Sequence, residues 1–259
     1  MHALRGAGLQ ATAPSPLTVG SPGASWPLPP GVVGQSVTVA IADHEKRVAA
    51  RAAAELVEDK MSVGLGTGTT VAYFVPALAA RRLDVRCAVT SPHTETLARG
   101  AGLRVERFST VDRLDIAVDG ADEVAPDGWL VKGGGGAHTR EKLVASAADR
   151  FVVIVDSSKL VHALRPPVPL ELLAFGLAST VRRIEAIGPV RRRDAARSPD
   201  RGVIYDYLGA VDDPRRLADA LCGIPGVVEH GLFPPEMVTE VVVGRGGSAE
   251  RLRPGGDGR

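Results

Sequence analysis

The chain has 259 residues, with 31 basic and 30 acidic side chains and a formal net charge of +1. That length suits one large domain, or a main domain with a smaller companion, and allows a real core. The balanced charge offers no basic footprint for nucleic acid and no acidic tail, and the apolar runs are too short to span a membrane.

The first 42 residues carry Arg5 as their only Lys or Arg, no acidic side chain, and six prolines before Gly31. They lack the basic start and continuous apolar core of a secretory signal. A disordered extension, or a start codon placed too far upstream, is the expectation for residues 1–42. Order is expected to begin at Asp43, which can cap the alanine-rich helix of "DHEKRVAARAAAELVEDK". "MSVGL" reads as a short buried strand and "GTGTT" as a turn. "TVAYFVPALAARR" reads as a helix with a kink or early break at Pro76.

"VRCAVT" is a strand carrying a buried thiol, Cys87. "PHTETLARGAG" is a helix ending in glycine, and "LRVERF" a strand. "LDIAVDGADEV" is a strand running into an acidic loop, and "EVAPDGWLVKGG" a hairpin about Pro126-Asp127-Gly128. "HTREKLVASAADR" is helical and "FVVIVD" a fully apolar strand. This alternation predicts an α/β fold, a mainly parallel open sheet with helices on both faces.

Past "RPPVPLEL" a compact α+β unit follows: a helix in "FGLASTVRRIEAIG", an arginine-rich loop, a strand "GVIYDYL", a helix "DPRRLADALCGI" and a strand-like "GVVEHGLF". "EMVTEVVVG" then returns a strand to the first sheet. The expected organisation is a main domain of residues 43–168 and 233–246, a small domain of 169–232, and a flexible tail of 247–259. The two cysteines, Cys87 and Cys222, form neither a disulfide framework nor a zinc pattern, so a reducing, cytoplasmic setting is expected.

Four strand-end loops bring polar groups and glycines towards one rim. "GLGTGTT", Gly64 to Thr70, follows a strand and opens a helix, whose N-terminal N–H groups and dipole favour an anion such as phosphate. It fails the dinucleotide fingerprint, because Thr69 stands at the third glycine, and it lacks the Walker Gly-Lys-Ser/Thr. "VDGADEV" sets Asp119 and Asp122 at the carboxyl end of a parallel strand, suited to sugar hydroxyls or a divalent metal, or to turn chemistry alone. No histidine stands beside them at ligand-like spacing, and no metal is expected. In "KGGGGAHTREKL" the glycines admit close approach of a ligand to the backbone. Glu141 falls near the first turn of the next helix, where the dipole favours a carboxylate in any case. Lys132 reads equally as a solvated strand-end charge, and His138 as a loop or helix-start residue. "VDSSKL" repeats the theme with Asp156 and Lys159.

In order and spacing, "GLGTGTT", "VDGADEV", "KGGGGAHTREKLVA" and "DSSK" resemble the A-type ribose-5-phosphate isomerases, and the similarity takes in "VPLELLAFGLASTVRRI" and "IPGVVEHGLF", about residues 43–244. The resemblance implies that Glu141 is the proton-shuttling base and that Lys132, Asp119 and Asp122 are active-site polar groups. It implies a substrate loop of Thr67, Gly68, Thr69 and Thr70, a further substrate-binding Lys159, and contacts from Gly120, Ala121, Gly133, Gly134 and Gly135. It implies a small-molecule sugar phosphate as partner, no cofactor, and a homodimer or homotetramer. Thr69 replaces a usual serine, His138 stands where an apolar residue is commoner, and Pro76 interrupts a usually smooth helix. Moving one proton between adjacent carbons needs a carboxylate and a cation beside the developing enediolate, but no redox cofactor. The rivals are a coenzyme A transferase or sugar-phosphate deaminase, and a phosphosugar-sensing module of a regulator.

Overall fold

The computed structural model describes residues 32–194 and 197–254, with side chains from residue 38 onward. Helix α1 (Val32–Ala54) leads into β1 (Ser62–Leu65), α2 (Thr69–Ala80), β2 (Arg86–Val89), α3 (Pro92–Gly100), β3 (Arg104–Val105) and β4 (Ile116–Asp119). A hairpin of β5 (Glu123–Val124) and β6 (Leu130–Val131) follows, then α4 (His138–Ser146) and β7 (Phe151–Asp156). Next come β8 (Val168–Leu172), α5 (Leu177–Glu185), β9 (Val190–Arg192), β10 (Val203–Tyr207), α6 (Pro214–Cys222) and β11 (Val227–His230). The chain returns through β12 (Leu232–Phe233) to β13 (Glu240–Arg245) and β14 (Ser248–Leu252).

The main sheet has the order β14-β13-β7-β4-β1-β2-β3, and every neighbouring pair is parallel except β13 with β14. Side chains alternate between its faces with period two. Val63, Leu65, Ile116, Val118, Val152, Ile154 and Val242 join the core under α1, α2 and α3. Ala117, Phe151, Val153, Val155, Val241 and Val243 join the opposite core, with Val144 and Ala145 of α4 and Leu130 and Phe233 of the hairpin region. Helices therefore cover both faces, and the strands read as apolar runs.

A separate antiparallel sheet, β11-β8-β10-β9, is packed by α5 and α6 through Ile184, Leu217 and Leu221. Its core also takes in Ala125, Trp129, Val131 and Leu164 from before β8. Small and main units thus share an apolar seam along the β5–β6 hairpin.

Three expectations are corrected. Helix α1 begins at Val32, so Asp43 lies inside it and caps nothing. No proline occurs between Pro30 and the end of α1 at Ala54, and extending an existing helix costs far less than nucleating one. The part of the expected extension before Val32 lies outside the described residues. Pro76 does not end α2, which runs on to Ala80. The ring sits on the exposed side, while Val71, Phe74, Val75 and Leu78 stay buried on either side of it. The expected flexible tail instead forms β14 through Leu252. The chain reverses at Gly246, whose φ of +52° suits a glycine, and Arg251 pairs with Glu240 across the hairpin.

Candidate active site

Asp119 ends β4, Lys132 directly follows β6, and Glu141 lies in the first turn of α4. All three are nearly sealed from solvent, at 2 %, 2 % and 4 % exposure respectively. The Lys132 Nζ stands 2.9 Å from Asp119 Oδ2 and 3.2 Å from Glu141 Oε2, and also donates to the Gly120 carbonyl. Its ammonium lies over the Phe233 ring, 5.4 Å from the centroid. Lys132 is therefore no solvated strand-end charge, and Glu141 does more than answer a helix dipole.

The electrostatics separate the two carboxylates. Burial pushes both carboxyls upward, and Lys132 pulls both down. Asp119 alone has two backbone donors, Gly120 N–H at 2.7 Å and Thr67 N–H at 3.1 Å, both on Oδ1. Its negative charge is thereby the better satisfied. Glu141, desolvated and beside that charge, is raised to about 8. Burial also opposes the charge on Lys132, but the two carboxylates outweigh it and hold the ammonium above the ordinary lysine range. The arrangement is one cation, one carboxyl that burial raises but two backbone donors support, and one carboxyl poised to exchange a proton near neutral pH.

A cavity of about 100 Å³ opens above this cluster. It is lined by Thr67, Gly68, Thr69, Thr70, Gly120, Ala121, Asp122, Lys132, Gly133, Gly134, Gly135, Glu141 and Lys159. The sequence-predicted residues are thus brought together around one space, with Asp119 buried beneath it. Asp122 sits exposed at the rim and accepts the Gly134 N–H at 2.7 Å.

The loops are shaped by close approach. A Cβ on Gly66 would lie 1.9 Å from Asp119 Cγ, so only glycine lets this loop cross over that carboxylate. Gly133 has a φ of +103°, and a Cβ there would stand 2.7 Å from His138 Nδ1. At this position the glycine run makes room for the protein itself, where ligand approach was expected to be its use. His138 is fully buried under that loop, its imidazole pushed down to about 4 by burial and the Lys142 charge, and so stays neutral.

Thr67, which lines the cavity, also has partners within the protein. Its hydroxyl is engaged with Thr90 at 2.7 Å, Ser91 at 2.8 Å and Thr94 at 3.2 Å, a knot of hydroxyls at the start of α3. It anchors the loop. Thr69 and Thr70 open α2, and their hydroxyls bond no group among the described residues.

Several residues of the site were not read from the sequence. Glu45 of α1 accepts the Ser157 N–H at 2.9 Å and hydroxyl at 2.6 Å, and the Gly246 N–H at 2.9 Å. Burial works against its charge, but these donors hold the carboxyl below its usual range. Glu45 thereby fixes the turn that carries Lys159. Helix α4 is tied to the small unit on both sides of Glu141. Thr139 donates to Glu171, Arg140 forks onto Asp200, and Lys142 pairs with Glu229 at 2.7 Å. Each partner lies many residues downstream, beyond any local motif.

A family model described as ribose 5-phosphate isomerase A (phosphoriboisomerase A) matches residues 86–247. The chain is 46 % identical over 226 residues to the ribose-5-phosphate isomerase A of Caulobacter vibrioides, covering 82 % of this chain and 99 % of that protein. The crystal structure of ribose 5 phosphate isomerase A from Neisseria gonorrhoeae superposes with a TM-score of 0.79 at 33 % identity, over 82 % of this chain and 97 % of the other. A D-ribose-5-phosphate isomerase in complex with phospho-erythronic acid gives a TM-score of 0.78 at 32 % identity, over 82 % and 99 %.

Proposed function

The chain belongs to the ribose 5-phosphate isomerase A family, and on that premise we propose that Glu141 shuttles the proton as it interconverts ribose 5-phosphate and ribulose 5-phosphate. The observation that carries this reading is the buried Lys132, 2.9 Å from Asp119 and 3.2 Å from Glu141 at one cavity wall. In the open-chain aldose, the Glu141 carboxylate takes the C2 proton. The electron pair forms the C1–C2 double bond, and the C1 oxygen becomes the enediolate oxygen. Lys132 stabilises that developing charge. The carboxyl returns its proton to C1 while the oxygens exchange theirs, giving the ketose. No net oxidation occurs and no cofactor is consumed. Asp119 keeps Lys132 charged and in place, and Asp122 holds the glycine loop at the sugar.

The N-terminus of α2, with the Thr69 and Thr70 hydroxyls and Lys159, holds the phosphate. The phospho-erythronic acid bound by the related isomerase, an acyclic sugar-acid phosphate by its name, supports a site for such ligands. Residues 169–232 act as a positioning domain for α4. The unpaired Cys87 and Cys222 support a reducing, cytoplasmic setting. Exposed Leu173, Val228 and Phe175, the last at 93 %, support self-association as a homodimer or homotetramer, which sedimentation reads directly; a monomer would contradict it.

Glu141→Gln tests the base. The variant should fold, bind ribose 5-phosphate and turn over at least ~10²-fold more slowly. Wild-type turnover in deuterated water should place deuterium on carbon. Near-normal turnover by the glutamine variant would remove Glu141 from the mechanism.

A further inference from the structure

Lys132 and Glu141 are joined in sequence by the glycine run, so its shape bears on where the cation and the base sit relative to each other. Four successive glycines have more conformational freedom to lose than any other run, and they need external ties. One tie is Asp122, which takes the Gly134 N–H at 2.7 Å. A second is the Gly136 N–H, which donates to the Gly133 carbonyl at 2.9 Å. The third comes from the small unit. Arg193, just past β9, donates from one guanidinium nitrogen to the carbonyls of Gly133 and Gly134, at 3.0 Å each.

That guanidinium is itself fixed. Its remaining donors fork onto Asp206 of β10, which is largely buried, and the Arg193 backbone N–H donates to Ile204 at 3.0 Å. The Gly134 residue is therefore gripped from two sides, its N–H by Asp122 of the main unit and its carbonyl by Arg193 of the small one. A lysine at this position cannot make the same planar fork.

We propose that Arg193 is a positioning residue for the isomerisation, holding the glycine loop so that Lys132 and Glu141 keep their working separation. Its role rests on the glycine-lined cavity being the sugar phosphate site. It touches neither the substrate nor the reacting atoms and acts through the loop.

The test compares Arg193→Ala, Arg193→Lys and Asp206→Asn with Glu141→Gln, reading kcat, KM and amide exchange across residues 131–141. Misplacing reacting groups by an ångström costs about 10²-fold, and Arg193→Ala should approach that loss in kcat/KM. The 133–136 amides should exchange faster, with the rest of the main sheet unchanged. Added guanidinium ion at low concentration should restore part of the rate and return the 133–136 amides towards wild-type exchange, which ties the rate to the loop. Asp206→Asn should move the same amides in the same direction, by less. Should the alanine variant fail to fold, Arg193→Lys decides: a folded protein with slowed turnover supports the role, and full turnover overturns it. Unchanged kcat/KM in Arg193→Ala, or exchange that rises only in the small unit, also overturns it. If Glu141→Gln is inactive while the Arg193 variants are normal, the role of Arg193 fails and the base stands. If Glu141→Gln is active, the reading of the site fails first.

Discussion

The two walls of the cavity are built by different means. The Asp119 wall belongs to the main sheet. Its carboxylate sits at the end of β4, its backbone donors are the adjacent Gly120 and the Thr67 loop after β1, and those strands are paired in register. The Glu141 wall is a nine-residue helix whose first turn is tied down by Glu171, Asp200 and Glu229 from the other unit, with Arg193 on the loop before it. The carboxylate with its own backbone donors sits on the self-supporting wall, and the carboxyl we propose as the base sits on the borrowed one. On that proposal, the group that gains and loses a proton is placed where a second domain sets its position.

Removing the link between the walls should have the largest effect. Lys132→Met leaves two carboxylates buried without their cation, which costs about 3–5 kcal/mol of stability. Turnover should fall by roughly 10²–10³-fold as the enediolate loses its charged donor. Thermal unfolding and initial rates read both, and a variant with wild-type stability and rate would show that the walls do not depend on this lysine.

Loosening the borrowed wall alone comes next. Glu171 is buried and accepts from both Thr139 and Ser198. Glu171→Leu should cost about 1–3 kcal/mol by leaving those hydroxyls unpaired, and should lower kcat more than it raises KM. If KM alone rises, α4 does not depend on the small unit for its position.

The smallest effects on turnover should come from the proposed phosphate end of the other wall. Thr70→Ala should weaken substrate binding by about 1–3 kcal/mol, the scale of a hydrogen bond to a charged group, with kcat nearly unchanged. Ribose without its phosphate should react poorly with both proteins and show no difference between them. A kcat loss equal to the KM change would place Thr70 at the chemistry.

The contrast between the walls also explains what the sequence revealed. Asp119 and Asp122 are legible at a strand end, whereas Lys132 and Glu141 read locally as a strand-end charge and a helix-start carboxylate and take their roles from the family resemblance. Arg193 looked like one more charge in an arginine-rich loop, since its partners, Gly133 and Gly134, lie about 60 residues earlier. Glu45 is separated from Ser157 by 112 positions and has no local signature. Strand β8 went unread because "VPLEL" carries Pro169, and proline is rare within a central strand. There the lost donor is tolerated, and its carbonyl still accepts the Gly231 N–H at 2.7 Å. Thr67 was legible as a loop residue, but nothing near it in the sequence announces that Thr90, Ser91 and Thr94 converge on its hydroxyl.

The central claim is that burial raises the Glu141 carboxyl so that it can act as the base, and the pH dependence of kcat/KM tests it most directly. Because the carboxylate is the active form and its value is raised to about 8, activity should climb as pH rises through that region and then level. Profiles should be taken above pH 7, where a sugar phosphate, with a second ionisation near 6, is already a dianion. The stability sign runs the opposite way. A carboxyl raised in the folded state lends stability below its unfolded value, near 4.5, and that contribution is lost as pH rises through about 8. Glu141→Gln should therefore gain melting temperature over wild type at alkaline pH while losing the activity limb. A wild-type kcat/KM that stays flat from about pH 7 to 9, or a rising limb that persists in Glu141→Gln, would contradict the account.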